Sequence, residues 1–176
     1  MSYRDSMNFK GSKATQLLRD QHYTTVGITE DFLGNKIDIT KFLKHIDYTI
    51  KVHFSLEDTV LIPIFSPYLR QYMEFEEPIR IISAEHVSVK NMFNGIHKPR
   101  IYEGEQEIAP TQEEIIGKSG QIARIMLQHV YREENGLFGL VEQYLPGPEK
   151  DNVANQLTVK FTTLDSEYRK NICNTQ

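Results

Sequence analysis

Two histidine–glutamate pairs constrain this chain more than any other feature. His53 is followed at the fourth position by Glu57, and His129 by Glu133. Both pairs lie on apolar stripes of helical spacing. His53 comes three residues after Ile50 and seven after Ile46, and His129 three after Met126 and seven after Ile122. Residues i and i+4 share one face of a helix, so each pair aims an imidazole and a carboxylate at the same region of the interior. One pair alone carries little. With 16 glutamates among 176 residues, about one histidine in eleven meets a glutamate at that spacing by chance, and surface neighbours are the plain explanation.

The second pair is not independent of the first. The two histidines are 76 residues apart and the two glutamates keep that offset, as do Leu61 with Leu137, Tyr68 with Tyr144 and Leu69 with Leu145. Upstream, His22 and His86 are 64 apart. The chain therefore reads as two related helix pairs, each giving one histidine from its first helix and a His/Glu pair from its second. Buried charge is expensive unless it is paired or bound to a metal. Four inward histidines with two inward glutamates thus point to metal ligation, the alternative being a core network of His–Glu hydrogen bonds.

Periodicity predicts an all-α fold, an up-and-down four-helix bundle with an additional C-terminal helix. Residues 1–13 are polar and aperiodic and read as an N-terminal arm, 14–147 as the bundle, and 148–176 as an accessory helix and tail. The first helix runs from Ala14 to Leu33 and stops at Gly34-Asn35. Asp38 or Thr40 caps the second, which carries Ile39, Leu43, Ile46, Ile50 and Phe54 and is interrupted near its end by Pro63. The third begins near Pro78 and ends near Gly95, and the stretch from His97 to Gln112 reads as a loop. The fourth spans Glu113 to Tyr144 with a bend near Gly136, ended by Pro146-Gly147-Pro148. The last helix, Asn152 to Arg169, contains a β-branched run at Thr158–Thr163 that works against it.

Composition narrows the function. Twenty basic residues against 24 acidic ones give a net charge of −4, so nucleic acid is not an expected partner. No run of 18 apolar residues is present, and membrane insertion is not expected. The first residues lack an apolar signal region, and the single Cys173 excludes a disulfide framework and a cysteine-rich zinc site. Together these place the chain in the cytoplasm as an expectation.

Over residues 14–145 the sequence resembles the hemerythrin-like (HHE cation-binding) family. The resemblance rests on Leu18-Arg-Asp-Gln-His22, on His53-x-x-x-Glu57 followed by Leu61-Ile-Pro-Ile-Phe65, on Glu85-His86, and on His129-x-x-x-Glu133 followed by Leu137-Phe138. It implies a left-handed four-helix bundle holding two iron ions in a bridged centre, a bundle type that the up-and-down class includes. His22 and His53 then bind one iron, His86 and His129 the other, and Glu57 and Glu133 bridge them. Oxygen-carrier members have a fifth histidine four residues from the one on the third helix. Ile82 and Lys90 stand at those places here, which favours sensing or iron and oxygen handling over reversible storage. The expected partner is dioxygen, nitric oxide or peroxide, and no protein partner is legible. Two other readings stay open: a di-iron oxidase or peroxidase-like enzyme, and a signalling module stabilised by its metal. Glu85 and Glu134 adjoin ligand positions and read either as extra carboxylate ligands or, more ordinarily, as solvated surface residues. His45 and His97 are expected to be non-ligands, and Tyr23 and Tyr48 to serve packing.

Overall fold

Capping side chains set the helix starts. In the computed structural model, which describes residues 2–72, 77–98, 100–101 and 107–173, α1 (Tyr3–Ser6) is a single turn lying against α2 (Lys13–Leu33). The Ser12 side chain accepts from the Ala14 amide at the start of α2, and Gly34 closes its end, with Asn35 in the left-handed region at φ 55°. Asp38, rather than Thr40, caps α3 (residues 39–72) by accepting from Lys41 N–H at 2.8 Å. Thr111 and Glu114 form a reciprocal capping box at the start of the helix over residues 112–144.

α3 is one continuous helical stretch over residues 39–72. It contains two π turns, Thr49–His53 and Glu57–Leu61, each closed by a backbone bond five residues long, Phe54 N–H to Thr49 C=O and Ile62 N–H to Glu57 C=O. The helix continues through Pro63 and Pro67 to Tyr72, so Pro63 does not mark its end. The wider turn just before Pro63 alters the bonding register where the proline lacks a donor. α4 (Glu77–His97) starts with Pro78 in its first turn. The stretch read as a loop contains a short antiparallel pair, β1 (Arg100–Ile101) with β2 (Glu107–Ile108), in register Arg100 opposite Ile108. α5 covers residues 112–144, and the bend expected near Gly136 is a third π turn, Glu133–Leu137, closed by Phe138 N–H to Glu133 C=O.

α6 (Gly147–Cys173) is longer than its apolar stripe predicts. Its threonines fit a helix because Thr158, Thr162 and Thr163 each donate a hydroxyl to the carbonyl four residues back. It lies on α2 and α3, burying Val153 and Leu157, and Tyr48 donates to Asp165 while Tyr168 donates to the Lys44 carbonyl, each at 3.1 Å.

Two apolar cores result. One gathers Leu18, Leu56, Leu61, Phe65, Phe138 and Val141 with Val153 and Leu157 of α6. The other gathers Phe42, Ile46, Phe54, Val89, Ile122 and Met126. A polar cluster meets both. Phe138 of the first stacks on the His22 ring at 5.2 Å, and Phe54 of the second stacks on His86 at 3.9 Å. No helix among the described residues is long and apolar enough to cross a membrane.

Candidate metal centre

His22 comes from α2, His53 and Glu57 from α3, His86 from α4, and His129 and Glu133 from α5. All six are buried, none more than 2% exposed. Their donor atoms form two groups: His22, His53, Glu57 and Glu133 in one, and Glu57, His86, His129 and Glu133 in the other, with the atoms of each group within 4.8 Å of one another. Both glutamates belong to both groups. His22 Nε2 lies 2.9 Å from Glu133 Oε2 and 3.0 Å from His53 Nε2. His53 Nε2 lies 3.3 Å from Glu57 Oε1, His86 Nε2 3.2 Å from Glu57 Oε2, and His129 Nε2 3.2 Å from Glu133 Oε2.

The π turns belong to this geometry. Glu57 opens one and Glu133 opens another, so the offset of 76 residues holds for backbone form as well as residue type. A single π turn inside an α-helix is uncommon and recurs at functional sites, because it re-aims the residues around it.

Every imidazole is held from behind by an oxygen on its other nitrogen. His22 Nδ1 donates to Glu134 at 2.7 Å, His53 Nδ1 to Gln21 Oε1 at 2.7 Å, His86 Nδ1 to Asp58 at 2.7 Å and His129 Nδ1 to Glu85 at 3.1 Å. These oxygens only accept, so each Nδ1 carries the proton and each Nε2 turns inward. That is the arrangement of a metal-binding histidine with its orienting partner. Glu85 and Glu134 are therefore neither solvated nor in the inner cluster, which corrects both roles expected of them. Cations stand behind three of the four oxygens: Arg19 pairs with Glu134, Arg132 with Glu85, and Lys90 with Asp58 at 2.9 Å.

Sequence reasoning missed Gln21, Asp58 and Arg19. The signal for the first two was present. Gln21 precedes His22 as Glu85 precedes His86, and Asp58 follows Glu57 as Glu134 follows Glu133. A neighbour on a helix points about 100° away from the ligand beside it, so it reaches the histidine of an adjacent helix.

The cluster is poorly satisfied by itself. Both carboxylate oxygens of Glu57 and of Glu133, and Nε2 of His86 and His129, are buried without a well-aligned hydrogen bond, although imidazole Nε2 atoms stand 2.9–3.3 Å from three of those oxygens. Buried polar groups are rarely left so, and each costs about 1–3 kcal/mol. Burial opposes protonation of His22, but the Glu133 and Glu134 carboxylates beside it outweigh burial and hold its pKa up at about 9. His86 behaves alike, burial being overcome by Asp58 and Glu57, again to about 9. His53 is pushed down to about 3 by burial, and burial lowers His129 as well. Two protons thus occupy a region whose donor set suits cations.

The remaining candidates lie outside. His45 contacts Thr25 Oγ1 at 3.0 Å, His97 contacts the Phe93 carbonyl, Tyr48 bonds Asp165, and Tyr23 is exposed beside Arg4 and Phe9. Burial lowers the His45 pKa to about 4, below its unfolded value near 6.5. Its contribution is complete above pH 6.5 and is lost as pH falls toward 4. We expect His45→Gln to flatten the acid limb of a stability–pH curve over that window by about 1–2 kcal/mol, after discounting for a half-buried ring. Denaturant melts at pH 7 and pH 4.5 measure it.

The six residues and their supports lie within a region that matches a known family. A model of the hemerythrin HHE cation-binding domain matches residues 13–141. No curated protein and no solved structure matches the chain.

Proposed function

We propose that this chain, which belongs to the hemerythrin HHE cation-binding domain family, is a non-haem di-iron protein that handles or senses dioxygen, nitric oxide or peroxide. The observation that carries the reading is the sharing of Glu57 and Glu133 between two donor groups, with none of the four carboxylate oxygens in a well-aligned hydrogen bond. His22 and His53 hold one ion, His86 and His129 the other, and the two glutamates bridge. Four imidazoles and two carboxylates suit iron, and two carboxylates offset part of the charge of two divalent ions. The helices α2, α3, α4 and α5 run alternately up and down in this reading, with α6 added outside. When bound, a ferrous pair supplies the electrons for reaction with the diatomic or peroxide ligand.

The chain's own residues do the rest. Glu134, Gln21, Asp58 and Glu85 keep each Nδ1 protonated and each Nε2 free to donate its lone pair. Phe54 and Phe138 stack on the faces of the His86 and His22 rings and restrain their orientation. At the positions where oxygen carriers have a fifth histidine, Ile82 is buried and apolar, and Lys90 is committed to Asp58. Neither adds a ligand, which supports reaction or sensing over reversible storage.

Elemental analysis of protein loaded anaerobically with excess iron(II) tests the reading. We expect about two iron atoms per chain, and a ratio of one or less overturns it.

A further inference from the structure

The four histidine supports are not equivalent. His22, His86 and His129 each donate to a carboxylate, from Glu134, Asp58 and Glu85. His53 donates to the neutral amide oxygen of Gln21. Gln21 and Glu85 occupy the same place in the two halves, one residue before His22 and His86, so the difference is a substitution within an otherwise repeated design. The amide is also poorly placed for its own needs, because Gln21 Nε2 is buried without a hydrogen-bond partner. The surroundings differ too. A cavity of about 260 Å³ between α2, α3 and α6, lined in part by Gln21, Thr25, His45, Thr49 and Phe161, reaches His53.

A carboxylate behind an imidazole raises its basicity and its strength as a ligand, whereas an amide does so far less. The group of His86 and His129 has two such carboxylates. The group of His22 and His53 has one, Glu134; a cation pairs with each of the three carboxylates, so the difference lies in the amide of Gln21. Resting on the di-iron reading above, we infer that the two metal positions are unequal, the one held by His22 and His53 filling second and emptying first, and that Gln21 is the positioning residue that makes it so. The cavity borders His53 on the side of Gln21.

Release kinetics test this without any assay of activity. Protein loaded anaerobically with two equivalents of iron(II) is mixed with an excess of a chromogenic ferrous chelator. Two phases of equal amplitude are expected. Gln21→Glu should slow the faster phase by about tenfold and leave the slower one, since changes in such orienting partners alter metal affinity by about 10–100-fold. The reciprocal variant, Glu85→Gln, should speed the slower phase by a similar factor and leave the faster one. A merely structural role for Gln21 would not produce tighter holding on substitution, and circular dichroism checks that both variants are folded. Two ions leaving in a single phase, or a faster phase unmoved by Gln21→Glu, overturns the inference while the di-iron reading stands. Retention of at most one ion overturns both.

Discussion

Stripping the protein of metal should lower its melting temperature by about 10 °C near neutral pH. A ligand that binds only the folded state, present at a thousandfold excess over its dissociation constant, stabilises by about 4 kcal/mol. A domain of this size shifts by about 2–4 °C per kcal/mol. The buried oxygens on Glu57 and Glu133 and the buried nitrogens on His86 and His129, which lack well-aligned hydrogen bonds, would gain partners from bound cations. The effect should grow with pH. In the metal-free protein His22 and His86 have pKa values raised to about 9. Their protonation therefore stabilises the fold fully below the unfolded value near 6.5 and is lost as pH rises through 9. Metal binding moves the opposite way, because protons compete for the same nitrogens and their removal favours the ion. The gap between loaded and stripped protein should thus widen from pH 6.5 to pH 9, read by calorimetry with and without chelator. Coincident curves across that range would return the cluster to a plain network of hydrogen bonds within a polar core.

Much of this centre is visible in the sequence because it obeys two strong rules. A side chain at i+4 shares a face, and a repeat brings equivalent faces together; His53 with Glu57 and His129 with Glu133 satisfy both. The helices were legible for similar reasons. Gly34-Asn35, Asp38 and Pro78 are local signals that need no tertiary context, and each stands at or near a helix end. What escaped depends on neighbours distant in sequence. Pro63 reads as a stop, yet the π turn before it carries the helix onward, and nothing in local propensity encodes a π turn. The short β1–β2 pair sits between turn-forming residues in a stretch without periodicity. Glu85 and Glu134 look solvated because charged residues beside a ligand usually face water. Their inward pairing follows only from which helix packs beside them, so that Glu134 meets His22 across 112 positions and Glu85 meets His129 across 44. Arg19 belongs to the same class, a charge buried because a partner from another helix receives it.

Loss of either glutamate should empty both metal positions, whereas loss of a histidine should weaken one. The contrast follows from connectivity. Glu57 lies 3.3 Å from His53 Nε2 in one donor group and 3.2 Å from His86 Nε2 in the other. Glu133 meets both groups through one oxygen, Oε2, which lies 2.9 Å from His22 Nε2 and 3.2 Å from His129 Nε2. On the proposed di-iron reading, removing one carboxylate would take a ligand from each ion at once and remove negative charge between the two cations. At an effective dielectric of about 20, two unit charges at 4 Å interact by about 4 kcal/mol, so the repulsion between two divalent ions grows sharply once a bridging anion is gone. We expect Glu57→Ala and Glu133→Ala to fall from about two bound irons per chain to well under one, with affinity reduced at least about a hundredfold. His22→Ala should retain about one ion, since the group of His86, His129 and both glutamates stays whole. His45→Ala, altered outside the cluster, should keep both. Iron content measured after gel filtration, with circular dichroism to show that each variant is folded, separates these outcomes. Full metal in the folded glutamate variants would mean that the carboxylates do not bridge. Loss of both ions from His22→Ala would mean that the two positions are not separable by their histidines.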